Sequence, residues 1–118
     1  MPAGAPVSDL MRTLADPTRL AIYQRIITER ETTVGALTLH AGVSQPAVSQ
    51  HVKALQDARL INGRRAGRNM FYRADPRGLE PLAAWLRYYE RFWNESFDRL
   101  DDYLTELKAE EQHAPKKP

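Results

Sequence analysis

The sequence predicts a mostly α-helical chain with one small β-hairpin, and three observations carry that expectation. Ser44 to Leu55 reads as one short amphipathic helix, and a glycine-punctuated segment that alternates apolar and polar residues follows it. Beyond that, from Leu82 to Leu107, apolar side chains recur every three or four positions without a break.

The elements follow in order. Residues 1–7, rich in Pro, Ala and Gly, are expected as a flexible arm. A single domain should then run over 8–107. Ser8 can cap its first helix, in which Leu10, Met11 and Leu14 have apolar spacing, and the Asp16-Pro17 pair ends that helix and starts the next. Asp16 is a suitable N-cap and Pro17 sits where a missing N–H costs nothing, while Leu20, Ile22, Tyr23, Ile26 and Ile27 supply the buried side. After a polar stretch, a short helix over 33–40 turns Val34, Leu37 and Ala41 inward, and Gly42 ends it by tolerating a left-handed backbone.

Only Val43 and Ser44 separate that exit from the central helix, over 45–57. Ser44 can cap it, Pro46 fits its first turn, and at 100° per residue Val48, Val52 and Leu55 share one stripe opposite Gln50 and Lys53. Two short helices joined by a tight glycine turn form a helix-turn-helix. Leu60-Ile61 then starts a strand, Asn62-Gly63 and Ala66-Gly67 offer turn chemistry, and Met70 to Arg73 alternates into a second strand. The hairpin over 61–73, tipped by Arg64, Arg65 and Arg68, is a wing, so the predicted fold is a winged helix-turn-helix. Pro81 marks a last helix over about 79–107, roughly 40 Å long at 1.5 Å per residue and more than so small a domain can cover. Its far half should pack on a second subunit, and residues 108–118 should fray.

Composition narrows the functional classes. Six basic residues against one acid between Ser44 and Arg73 give a local balance of +5, whereas seven acids against two basic residues between Glu95 and Glu111 give −5. The middle of the chain can approach a polyanion and the end should avoid one. With no cysteine there is no disulfide, thiolate metal site or thiol catalysis. No nucleophile–base pair and no phosphate-binding glycine loop suggests an enzyme, because Ser49 and His51 lie two residues apart and point 200° apart on a helix. No cofactor and no metal are expected. Residues 1–7 lack the basic start and apolar core of a signal peptide, and no apolar run is long enough for a bilayer, so the expected location is cytoplasmic, without membrane contact.

Asp16-Pro17-Thr18-Arg19-Leu20, Val43 to His51 and Gly67 to Arg73 occur in an order that resembles the ArsR/SmtB family of winged-helix repressors, over about 8–104. The resemblance implies a homodimer paired through its first and last helices, reading a partly palindromic operator in double-stranded DNA with two recognition helices and two wings. Known metal sites of the family are lacking here: Thr33 and Gly35 stand where the arsenic type places cysteines, and the last helix has no histidine between Leu82 and Leu107. The aromatic run Trp85 to Trp93 is instead similar to that of metal-independent members.

Candidate DNA-contacting residues are Ser44, Gln45, Ala47, Ser49, Gln50, His51 and Lys53 on the helix and Arg64, Arg65 and Arg68 on the wing. Gln50 is the choice for base readout, since its amide can pair with adenine in two places. Ser44 suits a phosphate; His51 lies about 70° off the buried stripe, on its boundary, where the family resemblance implies a phosphate contact and a packing role is the other reading. Candidate dimer residues are Leu10, Leu14, Trp85, Tyr89, Phe92, Trp93, Phe97 and Leu100. Two other uses of that aromatic stripe stay open: a pocket for an unknown small-molecule inducer, and a docking face on a winged helix that serves as a protein-interaction module.

Overall fold

The computed structural model describes residues 4–113, leaving aside the side chains of residues 4–6, Trp93 and His113. Along the described chain run α1 (Gly4–Leu14), α2 (Pro17–Glu29), α3 (Val34–Ala41), α4 (Gln45–Asp57), β1 (Ile61–Ala66), β2 (Asn69–Ala74), α5 (Glu80–Tyr88) and α6 (Glu90–His113). Three caps set the first half. The Asp16 carboxylate accepts from Arg19 N at 2.9 Å, Thr33 Oγ1 from Ala36 N at 3.1 Å and Ser44 Oγ from Ala47 N at 3.3 Å, each satisfying a donor that a helix start would leave unpaired. Between α3 and α4, Gly42 adopts φ 70°, ψ 8°, the left-handed conformation that turns the chain sharply without a Cβ clash.

The core gathers around α4. Ile26, Val48, Leu55 and Leu60 are completely buried and Val52 and Ile61 nearly so, with Ile22, Tyr23 and Leu37 beside them. Each such aliphatic side chain contributes about 1.5–3 kcal/mol through removal from water. The hairpin follows directly. β1 and β2 pair antiparallel from Ile61↔Ala74 to Ala66↔Asn69, with Gly67 at φ 62° in the two-residue loop. Thr32 adds a one-residue third strand, exchanging hydrogen bonds with Tyr72 at 3.0 and 2.7 Å. This stitches the wing to the corner between α2 and α3.

Several expectations change. α1 begins at Gly4, inside the segment expected as an arm, because Pro6 is tolerated in a first helical turn and Val7, 3% exposed, joins the buried set. Ile27 is 45% exposed, since it lies about 90° from the centre of the stripe made by Ile22, Tyr23 and Ile26. Asn62-Gly63 is not a turn: Asn62 pairs with Arg73 and Gly63 with Tyr72, and a Cβ on Gly63 would come within 2.9 Å of the Tyr72 ring and of Met70. Residues 1–3 and 114–118, parts of the expected arm and tail, lie outside the described residues.

The long last helix comes in two pieces. Tyr89, at φ −101° and ψ 8°, separates α5 from α6, and its N–H bonds Leu86 O at 3.2 Å in a tightened turn. α6 then runs to His113, past the point where fraying was expected. α5 rests on α1, whereas the main contact of α6 is with α5. The radius of gyration is consequently 20.6 Å, against about 13 Å for a compact chain of this length.

Candidate nucleic-acid interface

The two sides of α4 separate cleanly. Val48, Val52 and Leu55 face the core at 0–1% exposure, while Gln45, Ser49, Gln50 and Lys53 are exposed and Ala47 and His51 half-buried on the flank. Ser44, also exposed, sits at the N-terminus, where its hydroxyl caps the helix. All seven expected contact residues of this helix therefore belong to one continuous face and its edge. The apolar side fixes the helix and the polar side is left to solvent.

Wing arginines divide into two kinds. Arg65 and Arg68 are exposed, Arg68 in the hairpin loop, and neither has a carboxylate partner among the described residues. Arg64 stands opposite Phe71 in mid-ladder rather than at the tip. Its guanidinium forms a two-pronged ion pair with Glu31, with Nε to Oε2 at 3.1 Å, and lies 5.2 Å from the Phe71 ring centroid. That hydrogen bond, helped by the nearby charge, lowers the Glu31 pKa and raises that of Arg64. Arg64 thus holds the wing to the α2–α3 corner. Glu31 was missed from sequence because it lies 33 positions from Arg64, in a polar stretch without periodicity.

A second link reaches α4 itself. Arg19 Nε donates to His51 Nδ1 at 3.3 Å, and Arg19 Nη1 to the carbonyl of Thr13 at 3.2 Å. The backbone hydrogen bond from Arg19 is the main reason the Asp16 carboxyl lies below its ordinary pKa. His51 accordingly has a structural partner as well as a position at the edge of the exposed face of α4.

The expected dimer residues fall on different parts of the protomer. Leu10 is 5% exposed and Leu14 packs against the same core, so both are largely spent within the chain. Trp85 and Tyr89 are half-buried, with rings 5.1 Å apart. Phe92, Phe97 and Leu100 are 57%, 57% and 49% exposed, and the side chain of Trp93 is outside the described residues. Tyr103, Leu104 and Leu107 continue the exposed stripe along α6.

Thr33 uses its hydroxyl to cap α3, Gly35 has no side chain, and cysteine is absent from the sequence. Among the described residues, no three His, Asp or Glu side chains converge as metal ligands. None of the described helices is long and apolar enough to cross a membrane.

Comparison with known proteins bears on the fold and the family. Residues 14–64 match a helix-turn-helix domain family. The chain is 45% identical over 82 residues to the HTH-type transcriptional regulator Rv2034 of Mycobacterium tuberculosis, covering 70% of this chain and 73% of that one. It is 42% identical over 65 residues to the HTH-type transcriptional repressor SmtB of the same organism, covering 55% of this chain and 47% of that protein. Among solved structures, a "Possible transcriptional regulator for arsenical resistance" superposes with a TM-score of 0.63 at 38% identity, over 80% of this chain and 94% of that one.

Proposed function

The chain belongs to the ArsR/SmtB family of winged helix-turn-helix, DNA-binding transcriptional regulators, which are not enzymes, and from that premise we propose a homodimeric repressor that reads a partly palindromic operator. One observation carries this reading: α4 buries Val48, Val52 and Leu55 completely or nearly so and leaves Gln45, Ser49, Gln50 and Lys53 exposed, directly before a hairpin with exposed Arg65 and Arg68. The arginines and Lys53 supply salt-dependent attraction to phosphates, and Gln50 and its neighbours supply sequence preference. Dimerisation uses the exposed stripe of α6, whose burial needs a second copy.

The repressor is not metal-responsive. Its residues at the positions discussed above offer a hydroxyl already in use and no thiolate, a poor donor set for soft or borderline metals. It acts in the cytoplasm, on its own promoter region. Footprinting on the DNA upstream of its gene tests all of this. The expected result is two protected half-sites one helical turn or a multiple apart, unchanged by zinc or a chelator. Absence of any mobility shift at low salt would instead favour a protein-interaction module docking through α6.

A further inference from the structure

Three hydrogen bonds meet at Arg19 in the first turn of α2. Its backbone N–H donates to the Asp16 carboxylate at 2.9 Å, its Nη1 to Thr13 O near the end of α1 at 3.2 Å, and its Nε to His51 Nδ1 on α4 at 3.3 Å. A guanidinium is always a donor and never an acceptor. The Nδ1 it meets must therefore present a lone pair, which fixes a neutral imidazole with its proton on Nε2. Among the described residues no protein group accepts from that Nε2–H. The ring is half-buried on the flank of α4 that also holds Ser44 and Ala47, an edge suited to the sugar-phosphate wall of a groove rather than to base edges. Asp16, an acid that interacts electrostatically with this ring, has its carboxylate engaged by the α2 backbone.

We propose that Arg19 is a positioning residue, holding His51 as the Nε2–H tautomer so that this N–H donates to a phosphate oxygen of bound DNA. The inference rests on the DNA-binding reading above. Fork geometry is what makes arginine suitable: one planar group serves Thr13 O and His51 Nδ1 together, which a single ammonium cannot do in fixed directions. It also ties the end of α1 to the reading helix through one side chain.

Two readouts test the proposal. Nitrogen-15 imidazole spectra of the free protein should show His51 as Nε2–H in the wild type and as a tautomer mixture in Arg19→Lys; the same single tautomer in both would overturn it. In mobility-shift titrations, Arg19→Lys and His51→Asn should each weaken DNA binding about tenfold, the scale of one charge-assisted hydrogen bond. His51→Gln, which keeps an N–H donor at the ε position, should retain affinity, and Arg19→Lys added to it should cost almost nothing more. An equal Arg19→Lys penalty in both backgrounds would mean a general structural role and overturn the positioning role. Failure of the wild type to bind DNA would remove the repressor reading and the phosphate contact together, while the spectra would still decide the tautomer.

Discussion

α4 and α6 carry the same apolar periodicity, yet the protomer treats them in opposite ways. In α4, Val48, Val52 and Leu55 are 0–1% exposed, whereas in α6 Leu100, Tyr103, Leu104 and Leu107 are 40–58% exposed. The first stripe is satisfied by its own chain, through α2, α3 and the start of the wing. The second meets little beyond α5. A reading head held in place within one chain is preorganised before it meets DNA; in the proposed dimer, completion of α6 by a second copy would make the spacing of two such heads depend on assembly.

The largest effect should come from the cis-satisfied side. Leu55→Ala should cost about 2–5 kcal/mol, the range for emptying a tightly packed core site, read by urea denaturation at two protein concentrations. A loss confined to dilute protein would place Leu55 in an intersubunit contact and break the contrast. On the other helix, Leu100→Glu combined with Leu104→Glu should halve the mass seen by light scattering and weaken operator binding on the order of 100-fold through lost bivalency. The monomer's own helicity should survive; an unchanged mass would show that this stripe is not the dimer contact.

Smaller changes separate reading from attraction. Gln50→Ala should relax discrimination by about 1–3 kcal/mol at one or two base pairs, measured on a panel of mutated operators. Arg68→Ala should weaken binding to all sequences alike and lower the salt slope by about 1. Operator affinity untouched by both changes would refute the docking geometry.

The smallest effect concerns acid. Hydrogen bonding from the Arg19 backbone and from the Arg64 side chain lowers the pKa of Asp16 and of Glu31, whose ordinary values are 3.8 and 4.5. Folding thus favours their charged forms. The benefit is complete above those ordinary values and disappears as pH falls through the lower folded ones. Asp16→Asn with Glu31→Gln should therefore flatten the fall in stability below pH 4.5, as followed by denaturant midpoints against pH. An unaltered acid limb would show that neither contact is linked to proton uptake.

Most of the reading head was legible in the residues themselves. Asp16, Thr33 and Ser44 are cap types at helix starts, Gly42 and Gly67 stand where positive φ is needed, and Val48, Val52 and Leu55 have helical spacing. These signals are local, because each depends on a few neighbouring residues and on backbone sterics alone. Asn62-Gly63 shows the limit: its turn chemistry was real, but strand pairing overrode it, and the Tyr72 ring occupies the space a larger residue at 63 would need.

By itself, then, the sequence determined the helices α2 to α4, the hairpin, the core face of α4 and the polar face opposite it, since propensity and periodicity are written in consecutive residues. Only tertiary structure decided that Arg64 is a clasp on Glu31 while Arg65 and Arg68 stay without such a partner, that Leu10 is spent inside the protomer, and that Arg19 reaches His51. Those contacts join residues 32 or 33 positions apart, and chain distance carries no signal for which side chains the packing will bring together.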